Sequence, residues 1–504
     1  MTLTTSITTG PHDQAAAPVR RTRRWIDDWR PEDPEFWETT GRPVARRNLI
    51  WSIFAEHLGF SVWLIWSVSS AFLVATGFDY TPQQLFLLVA LPNLVGSLLR
   101  LPYTFAVPKF GGRNWTMASA ALLLIPTLGF AYAVQNPSTP YWAFCLIAAT
   151  AGLGGGNFAS SMANINFFYP AAKKGAALGL NAAGGNLGVS LIQFFLPVIV
   201  GGAGIFGIVK ASEGGLNLER AAWVYAGLAV VATLAAYFFM DNLGTAVSKP
   251  REQLQVVKKR QTWIMAFLYI GTFGSFIGYS AAMPLLIKLN FWVPDPAPLG
   301  TGIYFAYFAF LGALVGSLTR PFGGWLADKY GGARVTLGAF AAMILFTLAV
   351  LWTLTQLTPN PGADPAIATD NQSWFPWFLG FFLCVFAATG IGNGSTYKMI
   401  PSIWRTEAER TTPPHTPERT AAVSFATKQA SAAIGVIGAV GALGGFLIPI
   451  AFSSPWVDDP MSATKGAFLV FTGFYVVCAL VTYAVYLRKP HEAKAHLSLA
   501  NAGI

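Results

Sequence analysis

The sequence predicts an all-α membrane protein, twelve transmembrane helices arranged as two pseudo-symmetric halves of six. Three observations carry that expectation. The composition holds too little charge for a water-facing surface, twelve apolar runs reach spanning length, and an internal repeat maps one half of the chain onto the other.

Composition comes first. The 504 residues are 54% hydrophobic and 11% charged, where a soluble chain carries about 25% charged residues, so lipid is the alternative solvent. The 50 glycines and 39 phenylalanines suit helices that pack closely without a hydrophobic drive between them. Cys145, Cys384 and Cys478 each sit in an apolar run, and their spacing gives neither a disulfide framework nor a metal site. No metal and no cofactor is expected. A net charge of +10 would suit a nucleic acid, but the cations flank apolar runs instead of clustering on one face, so no such partner is expected. Arg20 to Trp25 (RRTRRW) look like a twin-arginine export signal. The following Ile26-Asp27-Asp28-Trp29-Arg30-Pro31 is polar where such a signal needs an apolar core. Residues 1–47 are therefore expected to be a cytoplasmic tail, partly disordered.

The spans follow from length. About 20 helical residues cross a hydrocarbon core of ~30 Å, and runs of that kind occur near 48–76, 82–108, 114–134, 140–168, 175–201, 220–240, 262–289, 299–327, 335–356, 374–400, 422–452 and 464–487. They divide the chain into a bundle over 48–240, a cytoplasmic linker over 241–261, a second bundle over 262–487 and a C-terminal tail over 488–504. Of 33 lysines and arginines, 25 fall on the side of the termini, while Lys210, Arg220, Lys288 and Lys465 fall opposite. By the positive-inside rule both termini face the cytoplasm, as in a multi-pass protein of a bacterial inner membrane.

The repeat appears at an offset of 220. Gly96-Ser97-Leu98-Leu99-Arg100 matches Gly316-Ser317-Leu318-Thr319-Arg320, and Lys109-Phe110-Gly111-Gly112 matches Lys329-Tyr330-Gly331-Gly332. A looser echo sets Gly154-Gly155-Gly156 against Gly392-Asn393-Gly394. Two parallel six-helix halves are the simplest explanation.

The repeat also carries the functional signal. Arg100 and Arg320 each lie nine residues before the lysine that ends their helix, about 13 Å at 1.5 Å per residue, close to the midplane of the core. An arginine there costs roughly 2.5–3.5 kcal/mol on insertion scales. Of 23 acidic residues only Glu56 lies well within a span, so the cavity keeps a positive excess for which a small anion is the natural counter-ion. The competing structural reading has each arginine snorkelling or capping backbone carbonyls. Arginine suits a planar oxyanion because its fork donates two parallel hydrogen bonds and never deprotonates. Tyr269 and Phe273, four apart, share a helical face. The fifth span holds Gly184, Gly185, Asn186 and Gly188, and the eleventh holds Gly438 and Gly441; small residues there allow close packing and sliding of helices.

The stretches MANINFFYPAAKKGAALGLNAAGGNLGVS (Met162 to Ser190), LYIGTFGSFIGYSA (from Leu268) and GIGNGSTYKMI (from Gly390) resemble the nitrate/nitrite porters, the NarK-like branch of the major facilitators. GWLADKYGG (Gly324 to Gly332) resembles the loop motif of that superfamily, degraded in the first half where Pro108 stands for Asp328. The resemblance covers residues 48–487. It implies transport of nitrate held between Arg100 and Arg320, with Asn186 and Tyr269 as hydrogen-bond partners and Phe60, Phe158 and Phe273 shaping a flat slot.

Coupling is read from the first span. Uptake of an anion against a negative-inside potential costs about 2.3 kcal/mol per 100 mV. Glu56 and His57, one turn before Phe60, are titratable groups; the resemblance implies that exchanger-type members have no such pair, so nitrate/proton symport is expected, with Lys398 adding positive charge beside a broken GIGNGS segment. Nitrate/nitrite antiport at the same site is the alternative. A membrane enzyme or haem protein is disfavoured because no span presents a nucleophile–base pair or a set of ligands; a sugar or drug carrier has no use for two unpaired midplane arginines. The expected partners are nitrate, nitrite, protons and the bilayer, with the protein a monomer.

Overall fold

The computed structural model describes residues 24–201, 204, 215–246, 254–293, 301–359, 365–454 and 459–488. The first residues of the expected N-terminal tail, the centre of the linker (247–253) and nearly all of the C-terminal tail lie outside them.

In lipid every backbone polar group must be satisfied within its own segment, and apolar runs of this length have only the helix open to them. Among the described residues twelve helical segments are long and apolar enough to cross a membrane. They are α1 (Pro34–Thr76), α2 (Pro82–Phe110), α3 (Gly112–Val134), α4 (Tyr141–Phe168), α5 (Ala171–Ile199), α6 (Leu218–Phe239), α7 (Arg260–Phe291), α8 (Phe305–Tyr330), α9 (Gly332–Thr355), α10 (Phe375–Thr411), α11 (Pro417–Phe452) and α12 (Pro460–Leu487). Four of them start on one device, a capping side chain followed by proline: Asp33-Pro34, Thr81-Pro82, Thr416-Pro417 and Asp459-Pro460. The cap oxygen accepts from an orphan N–H, and proline at the first helical position gives up a donor that would have no partner.

The repeat has a backbone signature. Gly111 ends α2 at φ 87° and Gly331 ends α8 at φ 91°, a left-handed conformation open to glycine at no steric cost. Both turns reverse the chain at equivalent places, so the halves share geometry as well as letters.

Because the spans are even in number, residues 34 and 487 leave the bundle on one face, here called the terminal face. The most buried spans are α1 and α7, the first helix of each half. Hydrogen bonds between the halves concentrate toward the opposite face. There the Lys288 ammonium donates to the Ala71 carbonyl (2.6 Å), the Gln193 amide to Ser280 (2.6 Å) and the Ser190 hydroxyl to Phe310 (3.1 Å). Toward the terminal face Asn166 donates to Ser431 across the halves at 3.3 Å. More of the hydrogen bonds between the halves thus lie toward the opposite face than toward the terminal one.

Two local expectations need correction. Residues 24–47, read as tail, are ordered. β1 (Trp25–Ile26) pairs in parallel with β2 (Asn242–Leu243), and α1 begins at Pro34 instead of 48. Aromatic burial explains the order, since Trp29 packs on Phe36 and Phe168 and Trp37 on Tyr169. The GIGNGS segment is not broken either; α10 runs helically from Phe375 to Thr411. Its glycines allow contact with backbone, and Gly394 lies against the Arg320 carbonyl.

Candidate anion site

The two midplane arginines converge from opposite halves. Arg100 on α2 is fully buried and Arg320 on α8 is 5% exposed. Arg100 donates from Nε to the Gly155 carbonyl of α4 at 3.1 Å and from Nη1 to the Gly438 carbonyl of α11 at 3.2 Å. Its guanidinium lies 4.7 Å from the Phe273 ring centroid, 4.8 Å from Phe158 and 5.4 Å from Trp63. Arg320 sits 5.5 Å from both Phe158 and Tyr397. One ring, Phe158, therefore serves both cations, and each arginine touches the half to which it does not belong.

The rings form a continuous wall. Tyr269 stacks on Phe273 at 5.2 Å and 14°, Phe273 on Phe158 at 6.1 Å and 24°, and Phe60 meets Phe158 edge-on at 6.1 Å. Helix α7 widens into a π turn over Ile270–Gly274, an irregularity found mostly at functional sites, and it is this turn that carries Phe273.

Buried polar atoms normally find partners, so those without one are informative. Arg100 Nη2, Arg320 Nη1, the Tyr269 hydroxyl and both amide atoms of Asn186 are buried with no hydrogen-bond partner among the described residues. A cluster with two cations and spare donors can take an acceptor that bears negative charge. No acidic residue in ion-pair reach neutralises either arginine among the described residues. Asp241 is taken by Arg47 (2.5 Å), Arg24 (3.4 Å) and Asn48, while Asp328 is taken by Lys398 at 2.8 Å. The competing expectation of carbonyl capping is met in part by Arg100, whose Nη2 nonetheless stays unpartnered.

A cavity runs from Arg100 toward the terminal face, lined by Thr104, Phe158, Met162, Tyr397 and Gly435 among others. Its volume of about 30 Å³ is roughly twice what one water needs by the same measure.

The expected glycines split into two groups. Gly184, Gly185 and Gly188 on α5 lie against Ile53, Glu56 and the His57 carbonyl of α1, where any Cβ would collide. Gly438 supplies the carbonyl for Arg100, and Gly441 lies under the Tyr269 ring. The second pair shapes the arginine cluster directly.

Glu56 is fully buried beside it. Its Oε2 accepts from the Ser161 hydroxyl and from the Asn181 amide (2.6 Å), while Oε1 has no partner among the described residues. His57 points elsewhere, with Nδ1 3.1 Å from the Gly184 carbonyl, so the two neighbours do not act as a bonded pair. Lys398 is corrected: its ammonium is spent on the Asp328 carboxylate and adds no free charge to the cluster. Sequence reasoning missed Trp63, Tyr397, Ser161 and Asn181. Tyr397 lies inside GIGNGSTYKMI, one residue before the lysine that drew attention.

The Major Facilitator Superfamily model matches residues 57–435. The chain is 41% identical over 478 residues to the nitrate/nitrite transporter NarU of Salmonella typhimurium, covering 93% of this chain and 98% of that one. It is 36% identical over 489 residues to the probable nitrate/nitrite antiporter NarK2 of Thermus thermophilus, with coverage of 93% and 98%. Among solved structures, a partially occluded inward-open xylose transporter, XylE of E. coli, superposes with a TM-score of 0.57 at 12% identity, over 88% of this chain and 98% of the other; that likeness speaks to the fold alone. With the repeat, the twelve spans and the paired arginines in place, the chain belongs to the NarK-like nitrate/nitrite porter family of the major facilitator superfamily.

Proposed function

We propose that this protein carries nitrate and nitrite across a bacterial inner membrane by alternating access, holding the anion between Arg100 and Arg320. One observation carries the reading: two guanidinium groups from opposite halves, each with a buried unpartnered donor, meet at a wall of stacked rings. Nitrate is planar and charged at every biological pH, so it accepts in-plane hydrogen bonds from both forks while its face lies on Phe158 or Phe273. Asn186 and Tyr269 supply the further donors. Because the anion touches both halves, binding favours their approach toward the terminal face, which the positive-inside rule assigns to the cytoplasm.

The coupling we propose is nitrate/proton symport with Glu56 as proton carrier. Glu56 is buried beside the arginines without a cation in ion-pair reach, and its Oε1 is free to take a proton. Net inward movement of positive charge requires at least two protons per nitrate, and His57 on the same turn is the second candidate. A charge count favours a second reading, nitrate/nitrite antiport. Two arginines, an ionised Glu56 and one monovalent anion sum to zero, whereas without the anion one positive charge would have to cross a low-dielectric interior. That cost would tie reorientation to a bound anion.

Reconstituted liposomes separate the two. Nitrate entry is followed under an imposed inward proton gradient, with and without nitrite trapped inside. Uptake driven by the gradient alone supports symport, and uptake only with internal nitrite supports exchange. Entry under neither condition would sink the anion reading.

A further inference from the structure

A second cavity lies on the outside of the C-terminal half, where α8, α9 and α10 leave a trough of about 490 Å³. Its walls are apolar and small, including Ala339, Ala342 and Ala388, with Phe346 and Cys384 at the deep end and Arg334 and Tyr330 at the rim. Gly338 on its floor faces open space, with no atom within 4 Å of where a Cβ would stand. Tyr330 at the rim is 50% exposed, a placement typical of rings at the headgroup level.

Length and charge say what fits. From Arg334 to Phe346 is twelve residues of α9, about 18 Å of helix, close to the ~15 Å that one leaflet contributes to a ~30 Å core. Arg334 is exposed and has no ion-pair partner among the described residues. Lys329, the neighbouring cation, rests on the Trp325 and Tyr330 rings. The trough thus offers an apolar bed one leaflet deep with two uncompensated cations at its polar end. We propose that it is a binding site for a single anionic phospholipid of the leaflet on the terminal face, its acyl chain along Gly338 and Ala342 and its phosphate on Arg334. The site is separate from the arginine cluster in the core and does not depend on how the transport reading fares.

Native mass spectrometry of the full-length protein, with phosphatidylglycerol or phosphatidylcholine added, tests the site. The probes are wild type, Arg334→Ala and Gly338→Leu, the last filling the trough where the fold leaves space. Wild type is expected to keep one phosphatidylglycerol at least fivefold more than phosphatidylcholine. Arg334→Ala should erase that preference, and Gly338→Leu should remove the adduct altogether. A maleimide reacting with Cys384, with Cys145 as internal reference, should be slowed by phosphatidylglycerol in wild type and not in Gly338→Leu. Equal retention of the two lipids, an undiminished preference in both variants, or a doubled mass showing a second copy in the trough would overturn the proposal.

Discussion

Arg100 and Arg320 occupy equivalent positions of a repeat, yet the fold treats them differently. Arg100 is locked. Two backbone carbonyls hold its Nε and Nη1, three rings surround its plane, and it has no exposure. Arg320 has only the faces of Phe158 and Tyr397, with no side-chain hydrogen bond to a described residue. One jaw of the clamp is preorganised and the other is free to adjust. The pseudo-symmetry thus places two charges at one depth, and the local glycines break it: Gly155 and Gly438 bring carbonyls to Arg100, whereas Gly394 packs on the backbone of Arg320. Under the proposed function this asymmetry helps, because ordering a single side chain on arrival of the anion costs less than ordering both.

The sharpest way to break the comparison is to replace each arginine by lysine. A lysine keeps charge but loses the fork. At position 100 the change also loses the fixed geometry that bonds Gly155 and Gly438 together, so nitrate affinity measured by calorimetry should fall by about 100-fold or more, some 3 kcal/mol. At position 320 about tenfold is expected. Equal losses would mean that the jaws are equivalent. Next in size is Phe158→Ala, which removes the ring shared by both cations. With cation–π contacts of about 0.5–2 kcal/mol each, affinity should drop roughly 10–30-fold, read in the same titration. Gly441→Ala should cost about fivefold by displacing the Tyr269 ring, a loss of about 1 kcal/mol. Gly438→Ala should cost less, since its Cβ would stand 3.7 Å from Arg100 Nη1, an ordinary contact. Smaller still for binding is Glu56→Gln, expected within about threefold (0.6 kcal/mol) because Ser161 and Asn181 can still be partnered. In liposomes the same variant should lose gradient-driven uptake, and retention of full uptake would remove Glu56 from the coupling. Lys398→Met should leave nitrate affinity unchanged.

How far all this was legible depends on the range of the interactions. The twelve spans and the two halves were readable because lipid enforces uniform local rules of length, apolarity and charge at the ends. The two arginines were readable because a repeat displays its equivalent residues at a fixed offset. Ordering of residues 24–47 was not, since it rests on β1 meeting β2 more than two hundred residues away and on tryptophans in an otherwise polar segment. Tyr397 and Trp63 escaped notice because a ring in a membrane helix is most often packing, and only three-dimensional approach to a guanidinium sets these two apart. Lys398 misled for the converse reason. It stood near a motif in sequence, but its side chain reaches the Asp328 carboxylate.

The central claim is that one anion is held by both arginines at once, and a double-mutant cycle tests it most directly. Nitrate binding is titrated against wild type, Arg100→Gln, Arg320→Gln and the double variant. If one ion bridges both groups, each single change should abolish most of the affinity and the double should be scarcely worse than Arg100→Gln, a strongly non-additive result. Either single variant binding nitrate as wild type does, or two losses that simply add, would contradict the shared site.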